Sequence, residues 1–472
     1  AAAAPGASPA CVDGRVGGGG GGGGGRGGAA AANVVNSQLG DAYRFNWNTP
    51  FLLSPHAGNV VWLGGNRLFK SVDRGDHWVA SADLTRQVDR CKVALMGAPG
   101  DQAQLSKNDG VVSYSTIVSV SESPVMPGVV WAGTDDGLLQ VSRDGGVTFA
   151  EVGKNIVGLP ANHDYWFSRV EASHFEAGAA YAAVDGHRSD DLKPYVFVTK
   201  DYGKTWKAIV TGLPASGNVQ VVREDPKNRD LLYVGTEFGL YASLDGGAHW
   251  EKFMNNYPTV RTDDILVHPR DNDLIIATHG RSIFIADDIT PLQQLTPAVR
   301  DAEVHLFDLR PAINYLSDRQ IQQHSGGQQL FIGENAPKGT TVSYWLKTAA
   351  TGDVKVSVTD AAGRTLCTST GPGSAGINRV QWSLVAPMLA PAGGRGGFGG
   401  GGGGGGGFGG NAGPPSTSCT ASTGGRGAGG GGFGGGGGGG IEAGTYNVIL
   451  TANGKTFTKQ VKVLDDVWMN EH

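Results

Sequence analysis

The sequence lacks any apolar run near the ~20 residues that a membrane-spanning helix needs. Its longest runs, such as Leu274 to Ala277, are strand-sized. It is also poor in charge. Asp, Glu, Lys and Arg make up 17% of the chain, and 43 acidic residues outnumber 38 basic ones for a net charge of −5. Such a balance leaves no surplus of cations to neutralise phosphates, which argues against an electrostatic nucleic-acid binder. Cysteine is scarce too. Cys11, Cys91, Cys367 and Cys419 show no CxxC or Cys/His spacing, so zinc is not expected. In an oxidising compartment Cys367 could bridge to Cys419, and Cys11 to Cys91, although spacing alone leaves connectivity open. The first residues, AAAAPGASPACVDG, lack a Met, a basic n-region and an apolar h-region. The expectation is an end made by processing or by excision from a longer chain.

Glycine is what the chain has in excess, with 79 residues, and many of them fall in two low-complexity tracts at 17–28 and 393–440. Outside the tracts the composition is that of a turn-rich β protein. The tracts read as flexible linkers. The GGRGGFGG segment invites an RNA-binding reading, but Arg395 and Arg426 are the only cations in the second tract, too few to carry it.

Four segments share the pattern Ser/Thr-x-Asp-x-Gly-x-x-Trp/Phe: SVDRGDHW, SRDGGVTF, TKDYGKTW and SLDGGAHW. In each, the Asp (Asp73, Asp144, Asp201, Asp245) can accept hydrogen bonds from turn amides, the Gly can take a positive φ, and the aromatic can pack into the core. Those four acids therefore read as structural, and Trp78, Trp206 and Trp250 as core. Upstream of each motif lies a short strand (VVWLGG, VVWAGTDDG, AAYAAVDG, LLYVGTEFG), and before that another, as in TIVSVSES and VQVVREDP. Three to four short strands recurring every ~45–70 residues are the signature of propeller blades. The expected fold class is all-β, with about five blades over residues 45–295. The fifth lacks the motif, because IFIADDIT has no Gly or Trp at the required places. Residues 1–44 read as a Gly/Ala-rich linker.

These motifs resemble the Asp-boxes of the BNR-repeat propellers found in sialidases, sortilin/Vps10 receptors and family 74 xyloglucanases. FNWNTPFLLSPH, VVWAGTDDGLLQVSRDGG, KPYVFVTKDYGKTW and HPRDNDLIIATHGRSIFIADDITPLQQL further resemble large secreted bacterial BNR proteins described as sortilin-like or glycosyl-hydrolase-like. The resemblance implies a secreted, periplasmic or cell-surface protein whose relatives carry more blades upstream. Residues 296–472 change pattern. TTVSYWLKT, GDVKVSVTDAAGRTLCTS, INRVQWSL, GTYNVILTANGKTF and TKQVKVLDD alternate with period two between turns, as in an antiparallel sandwich. The run Asn378, Val380, Trp382, then Gly444, Thr445 and Tyr446, is similar to an Ig-like domain common at the C-termini of secreted bacterial enzymes, with the 393–440 tract inserted in a loop.

In a propeller the Asp-box turns lie on one face, and a ligand is expected on the other, among loops joining successive blades and loops between second and third strands. The third blade offers His163, Asp164, Tyr165, Trp166 and Arg169 in one such loop and Asp185, His187, Arg188, Asp190 and Asp191 in the other, and both should converge on one rim. Asp135 and Asp136 from the second blade, Glu237 from the fourth, and Arg261, Asp263, Asp264, His279 and Arg281 from the fourth and fifth stand at equivalent places. Carboxylates, imidazoles, Arg and aromatics together suit a sugar or a peptide. No cofactor is expected. Calcium on Asp185, His187, Asp190 and Asp191 is the one metal the residues suggest, without the periodicity of a known loop.

Glycoside hydrolysis needs a carboxylate pair ~5–5.5 Å or ~6.5–9.5 Å apart, and the sequence does not choose one. An arginine triad of sialidase type from Arg169, Arg223 and Arg281 fails because Arg223 is expected near the box face. The leading expectation is a binding propeller holding a glycan or protein segment opposite the boxes. The alternative is a glycoside hydrolase, family 74-like or sialidase-like, completed by an upstream propeller. A partner is expected in either case. It would be the upstream propeller half as a separate chain or another copy, meeting the first blade near Phe45, Trp47 and Trp62 and the last near Ile283 and Phe284.

Overall fold

The computed structural model describes residues 43–88, 94, 114–160, 163–315, 338–384, 418–419 and 441–466. Cys11, Cys91, nearly all of the 1–44 segment and most of the 393–440 tract lie outside these. The chain divides into two units, Ala1–Pro269 with Leu274–Ala286, and Arg270–Asp273 with Asp287–His472.

The first unit is a series of five antiparallel sheets, each built from consecutive strands. The first runs Phe51–Leu53, Val61–Gly64, Arg67–Ser71 and Val79–Asp83, and the second Ile117–Glu122, Val130–Thr134, Leu139–Ser142 and Ala150–Glu151. The third runs Trp166–Ala172, Ala180–Asp185, Tyr195–Thr199 and Lys207–Ala208, and the fourth Val219–Glu224, Leu232–Thr236, Gly239–Ser243 and Glu251–Lys252. The fifth has three strands, Thr262–Val267, Leu274–Thr278 and Ile283–Ala286. This is the blade architecture of a β-propeller. The second strands of the second, third and fourth sheets are apolar on both faces because each of these sheets is covered on both sides by its neighbours. VWAGT at Val130–Thr134 and LYVGT at Leu232–Thr236 are buried throughout.

Neighbouring sheets share cores. Trp62 and Leu68 of the first sheet pack on Ile117, Val130 and Ala132 of the second. Trp131, Leu139 and Val141 of the second pack with Phe167, Val170, Ala182 and Phe197 of the third. Tyr181, Ala183 and Val196 of the third then meet Val222, Leu232 and Val234 of the fourth. Each large side chain so buried contributes ~1.5–3 kcal/mol. First strands are stitched together by serines: Ser119 and Ser121 hydroxyls accept from the Val170 and Ala172 amides, at 2.8 and 2.9 Å. Trp62 donates its indole N–H to the buried Glu122 carboxylate at 2.8 Å, and Tyr181 its hydroxyl to Glu224 at 2.9 Å. Trp131 and Tyr233 occupy the same strand position in their sheets, and their polar atoms find no partner among the described residues.

The four repeated motifs form one turn. In the first, the Ser71 hydroxyl donates to Asp73 and accepts from the Gly75 amide, both at 2.8 Å, while the His77 amide donates to Asp73 at 2.9 Å. The same three bonds recur around Asp144, Asp201 and Asp245. Hydrogen bonds from the His77 amide and ring hold the Asp73 carboxyl down at about 2, and those from Thr205 do the same for Asp201. The turn needs a left-handed glycine, and Gly75 and Gly247 sit at φ 105° and 87°. Of the aromatics that close the motifs, only Trp250 is fully buried. Trp78 and Trp206 are half-buried rather than core, because Trp78 folds back to donate to the Gly75 carbonyl of its own turn and Trp206 meets Trp131 edge-on.

The second unit is a sandwich of a three-stranded sheet, Val304–Leu306, Thr340–Leu346 and Gly376–Trp382, and a five-stranded one, Ala312–Asn314, Lys455–Asp465, Gly444–Ala452, Val354–Thr359 and Thr365–Gly371. Val342, Tyr344 and Trp382 from the first sheet share a core with Val356, Val358, Val448 and Leu450 from the second. Cys367 and Cys419 form a disulfide within that core.

Candidate functional site

The end of the sheets away from the motif turns carries one residue per blade where the second strand ends: Asp185 as its last residue in the third sheet, and Gly65, Asp135, Glu237 and His279 just after it in the others. Backbone bonds set this position by tying it to the start of a first strand. The amides of Asp135, Glu237 and His279 donate to the carbonyls of Thr116, Asn218 and Arg261 at 3.0–3.1 Å. Repetition of the blade thus brings acids and imidazoles to one rim.

The two third-blade loops meet there. The Arg188 guanidinium carbon lies over the Trp166 indole, 3.4 Å from its centroid. The Ser189 hydroxyl donates to Asp164 at 3.2 Å, and the Tyr165 and Tyr195 hydroxyls both donate to Asp191, at 3.1 and 2.7 Å. Asp190 is exposed, in a left-handed turn at φ 58°. His187 donates its amide to the buried Asp185, which also receives Asn218 and Gln220. Burial opposes ionisation of Asp185, but the His187 bonds prevail and hold its carboxyl below the usual range. Asp185 and Asp191 thus face different partners, and among the described residues no three His, Cys, Asp or Glu side chains converge on a metal position.

Asp135 and Asp136 do not line an open funnel, as the sequence suggested. Both are buried, at 1% and 0% exposure, because polar groups of the first blade and its following loop close over them. Asp135 accepts from the Thr116 amide and hydroxyl at 2.7 and 2.8 Å and from Asn46 at 3.3 Å. Asp136 accepts from the Arg86 amide at 2.8 Å and from Thr134. Burial pushes the Asp135 carboxyl up to about 7 against the Thr116 hydrogen bonds, and the adjacent Asp136 adds to the rise. The field reaches further. Burial and the charges of Asp164, Asp136 and Asp135 raise the Tyr114 phenol, while burial and Arg86 lower the His163 imidazole.

A second polar group joins three blades. Arg169 and Arg223 both reach Asp264, at 2.7 and 3.0 Å, and Arg223 also pairs with the buried Glu171. Arg223 lies at the box end of its strand, opposite Tyr233, and still shares Asp264 with Arg169. Arg261 pairs with Asp263 at 2.6 Å and donates to Gln220, and His279 lies 3.2 Å from Asp263. Arg281 is exposed and joins neither group, so two arginines share a carboxylate and no triad forms. Glu237 is half-buried. Sequence reasoning missed Asn46, Arg86, Tyr114, Thr116, Asn218 and Gln220. Several of these precede or open a first strand, a position that aligning the blades would have exposed.

Fold and rim together define a β-propeller joined in one chain to a β-sandwich. No protein-family model matches the chain, and no curated protein matches it. Among solved structures it is similar to a family 74 xyloglucanase from Xanthomonas campestris, at 21% identity and TM-score 0.39 over 51% of this chain and 36% of that one. It is similar also to YCF48 bound to D1 peptide, at 18% identity and TM-score 0.33 over 57% and 74%. A third is the β-propeller domain of Cps50 from Myceliophteria thermophila, at 11% identity and TM-score 0.33 over 53% and 67%. The chain spans about a third of the xyloglucanase's length.

Proposed function

We propose that this protein is a secreted binding propeller that holds a carboxylate-bearing glycan on the rim opposite the motif turns, with Arg188 and Trp166 as its anchor. The observation that carries this reading is the state of Arg188. Its guanidinium lies over an aromatic face, makes no hydrogen bond or ion pair among the described residues, and is exposed. A planar, pre-oriented fork of N–H donors is what bidentate carboxylate recognition uses. The aromatic beneath it fixes the fork at little entropic cost. Secretion is supported by the Cys367–Cys419 disulfide, a bond that persists in oxidising compartments.

Titration calorimetry with polygalacturonate, and with neutral xyloglucan as control, tests the reading. Binding to the polyuronate is expected, with a loss of ~10-fold or more for Arg188→Ala and Trp166→Ala. Equal binding of both polymers, or an unchanged affinity in the two variants, overturns it. One observation favours a second reading, a glycoside hydrolase: a carboxyl raised to about 7 has the character of a general acid. Its two oxygens, however, are already engaged by Thr116 and Asn46. Release of reducing sugar that Asp135→Asn abolishes would decide for the hydrolase.

A further inference from the structure

The four junctions inside the propeller are built alike. On each second strand a bulky residue and, two places on, a glycine or alanine face the next sheet: Trp62 and Gly64, Trp131 and Gly133, Tyr181 and Ala183, Tyr233 and Gly235. The small residue lets the next first strand come close. A Cβ on Gly133 would stand 2.7 Å from the Phe167 Cβ, and one on Gly235 2.7 Å from the Thr262 carbonyl. The fifth sheet repeats this layout with Ile275 and Ala277, joined on the same face by their strand partners Leu266, Ile283 and Ile285. Among the described residues that face stays exposed, with Leu266, Ile283 and Ile285 at 52%, 63% and 58%.

The other end of the series is its counterpart. The face that the second, third and fourth sheets turn to their predecessor is buried, through Val130 and Ala132, Ala180 and Ala182, and Leu232 and Val234. On the first sheet the corresponding face leaves Phe51 and Leu53 exposed at 65% and 55%, opposite Leu63 and Val61. Tyr43 and Phe45 cover Phe69 alone of the aromatic residues there. Trp62, expected at this end of the contact, is not available to it. It is 1% exposed and belongs to the junction with the second sheet.

We infer that these two faces meet between chains, the outward face of the fifth sheet receiving the first sheet of a second copy. The occupant follows from the molecule's own junctions. Four times in one chain a face of the outward kind is covered by the inward face of a similar sheet, and one of each kind is left over. The contact is heterologous, head to tail, so two copies that each supply both ends close without a free face. A single copy leaves Phe51, Leu53, Leu266, Ile283 and Ile285 together in water, the sort of apolar exposure that marks an association surface.

Light scattering on the full chain reads the result. A particle of at least twice the 48.7 kDa chain mass is expected, with Phe51→Glu and Ile285→Glu each monomeric and each retaining the wild-type circular dichroism spectrum. Mixing the two variants restores a dimer, because each supplies the intact face that the other lacks. A wild-type chain that stays a monomer up to its solubility limit overturns the inference, as do variants that remain associated alone. Failure of the mixture to dimerise overturns the head-to-tail pairing.

Discussion

Replacing Asp135 with Asn should abolish a pH dependence of stability that the wild-type fold carries. The group titrates near 3.8 when unfolded and at about 7 in the folded protein. The folded state therefore binds the proton more tightly, and stability falls as pH rises from the unfolded value through the folded one. A difference of that size between the two states corresponds to about 4 kcal/mol once both are ionised, of which about 3 kcal/mol accrues between about pH 5 and about pH 8. The side chain is 1% exposed, so solvent screening does not dilute the effect. The assay is urea unfolding followed by tryptophan fluorescence for both proteins across that range. Taking the difference between them cancels other titrating groups, and any cost of re-pairing the amide with Thr116 and Asn46 is a constant offset. The wild type should lose ground to Asp135→Asn steadily as pH rises. A difference that stays flat, or that widens toward acid, refutes the argument that burial controls this carboxyl.

Asp245→Ala removes the acceptor of Ser243 and of the His249 amide and should cost about 1–2 kcal/mol, seen as a lower unfolding midpoint in urea. Gly133→Ala drives a Cβ to 2.7 Å from the Phe167 Cβ and should destabilise the propeller by about 1–3 kcal/mol. The same substitution at Gly352, where nothing lies within 4 Å, serves as the control. Cys367→Ser opens a bridge between residues 52 apart and should cost about 2–4 kcal/mol. Cys419→Ser should cost the same, and the double variant no more than either alone, since all three lose the one bridge.

The repeated motif was legible in sequence because its chemistry is local. Ser71, Asp73, Gly75 and the His77 amide satisfy one another within seven residues, so composition and spacing specify the turn and, by repetition, the blades. The absence of the motif from the fifth sheet was legible for the same reason, since Ile283 to Thr290 carries neither the glycine nor the tryptophan of the pattern, but the reduction of that sheet to three strands was not. The rim was only half legible. Asp135 and Asp185 look alike as acids where a strand ends, yet one is raised to about 7 and the other held low. The difference lies in what the fold sets around each: burial and the neighbouring Asp136 raise the first, while the bonds from His187 and from Gln220 of the next blade hold the second low. The sharing of Asp264 by Arg169 and Arg223 likewise depends on three first strands standing side by side. Burial of Trp62 against exposure of Phe51 and Ile285 was beyond the sequence altogether, because period-two alternation marks a strand's apolar faces without saying which of them a neighbouring sheet covers.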